Sequence, residues 1–240
     1  DATVGMFGAE LQIGLTRHAF LDMSFTGAFA GVSYADGGRL HAGYGNPTIG
    51  AHYAGDATSR LSFFLGGALT VPLLANPDND VAFVAYNASA VRGYYDLDRL
   101  SPGRFAIRAA GGLEWEITEH AYFRAEVRPV VFIPVNDRYS PVFDLLGNQR
   151  DPYLAIEQAV EFEGRLRSGL GFGARLQGVV TPSNDDALQV VFEPFLGLTP
   201  RRGRGLYFRL GFPLALDEPL GFGLDENKLA AVRFSIGGQW

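Results

Sequence analysis

The stretch Lys228–Trp240, KLAAVRFSIGGQW, decides how this chain is read. Taken two residues at a time, it puts Ala230, Val232, Phe234, Ile236, Gly238 and Trp240 on one face. Ala231, Arg233, Ser235, Gly237 and Gln239 fall on the other. That period marks a strand with one apolar and one polar side. In a soluble sheet the apolar side meets a protein core. In an outer-membrane barrel it meets lipid, and the polar side lines the interior.

The same alternation recurs towards the N-terminus. Residues 205–216 place Leu206, Phe208, Leu210, Phe212, Leu214 and Leu216 on one face, and 153–165, 169–181 and 187–199 alternate likewise. A tight turn at Glu119-His120 separates Phe105, Ile107, Ala109, Leu113, Trp115 and Ile117 from Phe123, Ala125, Val127, Val131, Ile133 and Val135. Further upstream lie segments at about 60–73, 39–54, 21–29 and 4–15, eleven in all. The 39–54 segment changes phase at Asn46-Pro47. Proline has no N–H for a ladder, so a bulge is expected there. Within 74–103, Val81, Val84, Ala88, Val91 and Tyr95 recur at helical spacing with Asn79 or Asp80 before them. This predicts a helix over 81–93 ending near Gly93, with a strand as the alternative.

Charge placement favours lipid. Inside the segments Glu10, Asp22, Arg104, Arg108, Glu114, Glu116, Arg124, Glu126, Arg128, Glu157, Glu161, Glu163, Arg175, Glu193, Arg209 and Arg233 all take the polar face. Segments of about 11–14 residues are long for a soluble sheet and suit tilted membrane strands. Connections alternate short and long, as periplasmic turns and outer loops do. Arginines gather at the short-turn end (Arg17, Arg60, Arg165, Arg167, Arg201, Arg202, Arg204). Aspartates and glutamates, Asp96 and Asp98 among them, gather at the long-loop end. The expected fold is therefore all-β: a single domain over 1–240 forming a transmembrane antiparallel barrel of about 12 strands. The even count asks for one strand beyond the eleven segments, either 81–92 or a segment upstream.

Composition sets the outer bounds. Thirty-one glycines and 13% aromatics in 240 residues suit a large sheet. No cysteine is present, so neither disulfides nor thiol chemistry enter. A net charge of −6 argues against a nucleic-acid partner. No apolar run reaches the roughly 18 residues of a membrane-spanning helix. The chain opens at Asp1 without an export leader, and an exported protein would have had its signal peptide removed.

The run Gly45-Asn46-Pro47-Thr48-Ile49-Gly50-Ala51-His52-Tyr53 resembles a strand motif, roughly Gly-Asp/Asn-x-x-Leu/Ile-Gly-x-x-Tyr, of Gram-negative outer-membrane barrels. The family is that of transporter-like barrels associated with phenol and aromatic-compound degradation. The Val71-Pro72 end of the next strand and the aromatic C-terminus fit it too. The resemblance implies passage of small or hydrophobic molecules across the outer membrane. Against the related fatty-acid transporters, the chain shows no N-terminal hatch segment and fewer strands. The ending with Phe234, Ile236 and Trp240 resembles the signal read by the barrel-assembly machinery, which would be a partner during biogenesis.

The expected function is a passive channel or transporter for small-molecule solutes in a bacterial outer membrane, contacting lipid and lipopolysaccharide. Its lumen and selectivity residues would be Arg104, Arg108, Glu114, Glu116, Arg124, Glu126, Arg128, Glu157, Glu161, Arg175, Glu193, Arg209 and Arg233. Across a hairpin at Glu119-His120, the arginines and glutamates of one strand meet those of the next and can pair at about 5 Å. Glu157, Glu161 and Glu163 could bind a cation or face basic residues elsewhere on the wall, with a wetted acidic wall as the plainer reading. The 81–93 element would be a constriction or an outer cap, with Arg92, Tyr94, Tyr95 and Asp96 at the mouth. A closed structural or partner-binding barrel is the first alternative. A lipid-modifying barrel enzyme is the second, resting on His52 finding a serine or acid on a neighbouring strand. His41 and His52 lie too far apart along one strand to share a site. No motif for hydrolysis, phosphate binding or metal ligation occurs, so no catalytic residue, metal or cofactor is expected.

Overall fold

The computed structural model describes residues 2–34, 37–73, 84–85, 88–89, 95–135, 151–182, 188–198, 205–216 and 232–239. They form one antiparallel sheet of thirteen strands. These are β1 (Ala2–Gly14), β2 (Ala19–Tyr34), β3 (Gly37–Tyr44), β4 (Thr48–Thr58), β5 (Leu61–Thr70), β6 (Arg104–Thr118), β7 (Ala121–Pro134), β8 (Tyr153–Arg165), β9 (Leu170–Val180), β10 (Leu188–Leu198), β11 (Gly205–Gly211), β12 (Leu214–Ala215) and β13 (Arg233–Gln239). A 3-10 turn, Leu97–Leu100, lies between β5 and β6.

Two strand pairs share a lane. Both β3 and β4 pair with β2, and both β11 and β12 pair with β10, so thirteen strands less two give eleven lanes. The sequence expectation of about twelve is corrected to eleven among the described residues. Val84 and Ala88, from the span offered as a twelfth strand, pack with Ala28, Ala30 and Leu100 rather than joining the ladder. Of the helix expected over 81–93, Val84, Ala85, Ala88 and Ser89 are helical, the Ser89 hydroxyl donating to the Ala85 carbonyl at 2.8 Å, and the rest of the span lies outside the described residues. Hydrogen bonding runs from β1 to β13, and these two ends are not paired with each other among the described residues.

The expected bulge is present. Tyr44 faces Gly27 and Thr48 faces Ser24, so four steps on one strand match three on the other. The extra residue moves the outward positions from Leu40, Ala42 and Tyr44 to Ile49, Ala51 and Tyr53. Pro213 acts differently: Gly211 faces Phe195 and Leu214 faces Phe192, three steps each, so the lane keeps its register and loses one donor. Hydroxyls close the short turns. Thr16 accepts from the Ala19 amide (3.0 Å), Thr58 from Leu61 (3.1 Å), Thr118 from His120 (3.2 Å) and Ser168 from Leu170 (3.3 Å).

The alternation sorts the two faces as read from sequence. Phe7, Met23, Ile49, Leu65, Ile107, Val127, Val160, Leu176, Leu196 and Phe234, from ten different lanes, are all exposed. No second layer covers them among the described residues. The charged rows take the opposite face, and the buried clusters gather there.

That inner face is concave. Leu97 donates its amide to Glu157 of β8 (3.2 Å), while Arg99, two residues on, bonds Glu10 of β1 (2.6 Å). β1 and β8 stand six lanes apart, about 29 Å in a flat sheet at ~4.8 Å per lane. One short turn reaches both only because the sheet curls around it. Arg209 on β11 likewise meets Glu161 on β8 at 2.8 Å, three lanes away.

Candidate functional site

The site is the polar inside of this curl, and register builds it. Glu114 on β6 faces Arg124 on β7, which faces Glu161 on β8, which faces Arg175 on β9, which faces Glu193 on β10. Opposite charges therefore alternate along a rung crossing five strands. Arg124 bonds Glu114, Glu161 (2.7 Å) and Glu163 (3.2 Å). Arg209 joins Glu161 to Glu193 (2.8 and 3.4 Å), and Arg233 on β13 closes the series on Glu193 (3.3 Å). Glu161 is 5% exposed and Glu193 1%. The expected wetted wall is thus corrected: arginines cover Glu161 and Glu163, and the 95–101 insert covers Glu157, so all three are buried. Breaking such a buried pair from one side costs about 3–5 kcal/mol, since the other charge is stranded.

A second tier is organised by Tyr95. Its hydroxyl donates to Glu126 (2.6 Å), and the guanidinium carbons of Arg128 and Arg175 lie 5.1 and 5.2 Å from its ring centroid. Both distances suit cation–π attraction. Burial pushes the Tyr95 phenol well above its ordinary range, so it stays a neutral donor. Arg128 also bonds Asp96 and Glu126, both at 2.9 Å, and Arg175 bonds Glu126. Asp96 sits in the left-handed region (φ 58°), a conformation aspartate tolerates better than most residues.

The third tier fixes the 95–101 insert to the wall nearest the long loops. Asn46, turned inward by the bulge and fully buried, donates to the carbonyls of Asp98 (3.2 Å) and Ser101 (2.8 Å). Its own amide bonds the Arg99 carbonyl at 2.7 Å. Gly45 is obligatory beside it, because a Cβ there would come within 2.5 Å of the same carbonyl. Thr70 donates to Asp98 (2.7 Å), and Thr48 pairs with Thr70 (2.9 Å). Arg108 approaches Asp98 at 3.4 Å and Asp96 at 3.7 Å.

Between the insert and the short turns lies a cavity of about 350 Å³. Its polar lining is His52, Ser62, Glu114, Arg124, Glu126, Glu161 and Arg175, with Phe64 as the aromatic wall. His52 bonds Asp22 at 2.5 Å, stacks on Phe20 at 4.9 Å and meets Phe64 edge-on at 6.5 Å.

Most sequence-derived lumen residues thus meet in one network. Arg104 and Arg108 depart from expectation: they face Pro134 and Val130, so no acid of the hairpin lies across from them. Arg108 turns to the insert instead. Glu116 faces Tyr122 beside an irregularity in the ladder, not an arginine. Phe234 and Ile236 point outward and are exposed. Trp240, Arg92 and Tyr94 lie outside the described residues.

The sequence reading placed Asp22 on the polar face and allowed His52 an acid on a neighbouring strand, which is Asp22, but it missed Asn46 and Asp98 as inner-face partners. Asn46 stood in the quoted strand motif and Asp98 among the loop-end acids, but neither position revealed that the two touch. Among the described residues no cluster of histidine and carboxylate side chains could hold a metal ion. No protein-family model, curated protein or solved structure matches the chain.

Proposed function

We propose that the chain is an outer-membrane β-barrel that passes small polar solutes, closed at rest by its own 95–101 insert. The observation that carries this is the exposed apolar face on lane after lane, opposite a face of buried, mutually paired charges. Lipid stabilises such a face and water does not, because apolar patches beyond a few hundred Å² are rare on soluble monomers. The resemblance of the Gly45–Tyr53 run to transporter-like barrels points the same way. Lipid and lipopolysaccharide would contact the outer rows, and Phe234, Ile236 and Trp240 would serve recognition by the assembly machinery.

The paired wall fits passage better than permanent capture. Each guanidinium already holds carboxylates, so a solute crosses an amphoteric surface that binds neither sign strongly. The buried insert favours a closed resting state, and solute passage then requires it to move. The test is purification followed by planar-bilayer recording. The protein is expected to need detergent, with rare small conductance steps in the wild type and frequent ones in Asn46→Ala. Monodisperse behaviour in plain buffer refutes the membrane reading. Silence from both proteins leaves the membrane reading standing and replaces transport with a structural barrel.

A further inference from the structure

The cavity between the insert and the short turns has two unlike sides. On β7, β8 and β9 its lining carries the long side chains of Arg124, Glu126, Glu161 and Arg175. On β4 and β5 it carries Ala54, Ser62 and two rings held against the wall. Phe64 lies over Gly112, where a Cβ would come within 2.5 Å of the ring, and His52 is stacked on Phe20. Bulk on one side and its absence on the other leave about 350 Å³, towards the lower limit for a small-molecule site.

The fixed charges around this space are already answered. Arg124 holds Glu114, Glu161 (2.7 Å) and Glu163 (3.2 Å), Arg175 holds Glu126, and Asp22 holds His52 (2.5 Å). An ionic solute has to break one of these pairs to find a partner, which strands the other member. A neutral hydroxyl breaks nothing. Hydrogen-bonding capacity nevertheless remains on the same residues. Among the described residues Oγ of Ser62, Oε1 of Glu114 and Nη2 of Arg124 have no partner. Glu114 and Arg124 are also the most exposed charged side chains of the lining, at 43% and 36%. With Nδ1 of His52 given to Asp22, Nε2 is left to accept. The lining thus offers a donor, two acceptors and a hydroxyl that does both, beside one aromatic ring.

We propose that this cavity binds a small neutral polyol, a monosaccharide by size and shape, on its way through the barrel. A hydroxyl donates and accepts at once, so it answers mixed partners that an ammonium or a carboxylate meets only in part. Phe64 takes the C–H face of the sugar ring, while Ser62, Glu114, Arg124 and His52 take the hydroxyls around its rim. An apolar platform with a few placed polar groups is how such pockets fix a ligand's orientation. The inference rests on the transport reading, which puts this face inside and within reach of solutes, and it gives that reading a substrate class.

The test takes the full chain in a zwitterionic detergent, so that no sugar headgroup competes, with D-glucose, sodium acetate and methylammonium chloride as probes. Saturation-transfer NMR is expected to show transfer from protein to D-glucose and none to acetate or methylammonium at equal concentration. Ser62→Ala removes a hydroxyl that has no partner among the described residues, so the fold is kept. Its Kd for D-glucose rises about two- to tenfold, the contribution of one neutral hydrogen bond. Phe64→Leu keeps an apolar side chain without the flat ring and also weakens the transfer. In planar bilayers D-glucose lowers the open-channel current of Asn46→Ala saturably, and adding Ser62→Ala raises the half-blocking concentration by the same factor. Absence of transfer to glucose overturns the proposal. So does transfer to either ion as strong as to glucose, or a Kd unchanged in Ser62→Ala. Channels that open yet ignore D-glucose remove the substrate class and leave transport standing. Bilayers silent for every protein remove transport, and the NMR measurement then decides the cavity by itself.

Discussion

Replacing Asn46 with alanine tests the seating of the insert most directly. The substitution removes two hydrogen bonds, to the carbonyls of Asp98 at 3.2 Å and Ser101 at 2.8 Å, from a side chain with no exposed surface. A buried carbonyl left without its donor costs about 1–3 kcal/mol. Two such carbonyls, partly relieved by relaxation of the insert, give a loss of about 2–4 kcal/mol in local closing energy. At ~1.4 kcal/mol per tenfold, that is roughly thirty- to several-hundredfold in the opening equilibrium. The loss is local because the Asn46 main-chain bond to Arg99 and the β2 ladder are untouched by the side-chain change. Hydrogen exchange read by mass spectrometry on peptides covering 95–101 is the assay. Exchange there is expected to quicken by that factor while peptides from β6 and β7 hold theirs. Unchanged exchange at 95–101 would show that Asn46 does not seat the insert. Equal acceleration everywhere would show that the insert and sheet open as one unit.

Other expectations follow from the two faces of the sheet. Leu65→Arg, at the middle of β5 on the exposed face, should cost about 2–4 kcal/mol of folding in bilayers, the price of a cation near the hydrocarbon midplane; urea titration in vesicles measures it, and no effect would argue against lipid contact. Glu161→Ala takes one carboxylate from each of Arg124, Arg175 and Arg209, which keep Glu114, Glu126 and Glu193, and should lose about 1.5–3 kcal/mol in detergent unfolding, the range for a hydrogen bond to a charged group. Gly112→Ala places a methyl group 2.5 Å from the Phe64 ring and 2.6 Å from the Ala125 carbonyl. Because backbone is involved, overpacking should cost about 1–3 kcal/mol, visible as a lower melting temperature.

The sheet was largely legible because its period is two and its charges obey one rule. Arg124, Glu161, Arg175, Arg209 and Glu193 could be placed inside from alternation alone. The partner of each could not, since register across lanes and the curl of the sheet decide it. Thus Glu161 looked solvated in sequence, and in the fold three arginines from three strands converge on it. The insert shows the same limit. Asp96 and Asp98 look like any loop acids until long-range packing brings them to Arg128 and Thr70. Arg108 was assigned the right face and the wrong partner, because its cross-strand neighbour is Val130.

The eleven lanes among the described residues carry a mechanical consequence. In an antiparallel series of odd count the outermost strands, β1 and β13, point the same way. Were their rims drawn together, the peptide groups would engage by slanted, parallel bonding, which is slightly weaker per residue. A cylinder so made has one soft meridian, and lateral tension in a bilayer would part it there before unzipping any hairpin.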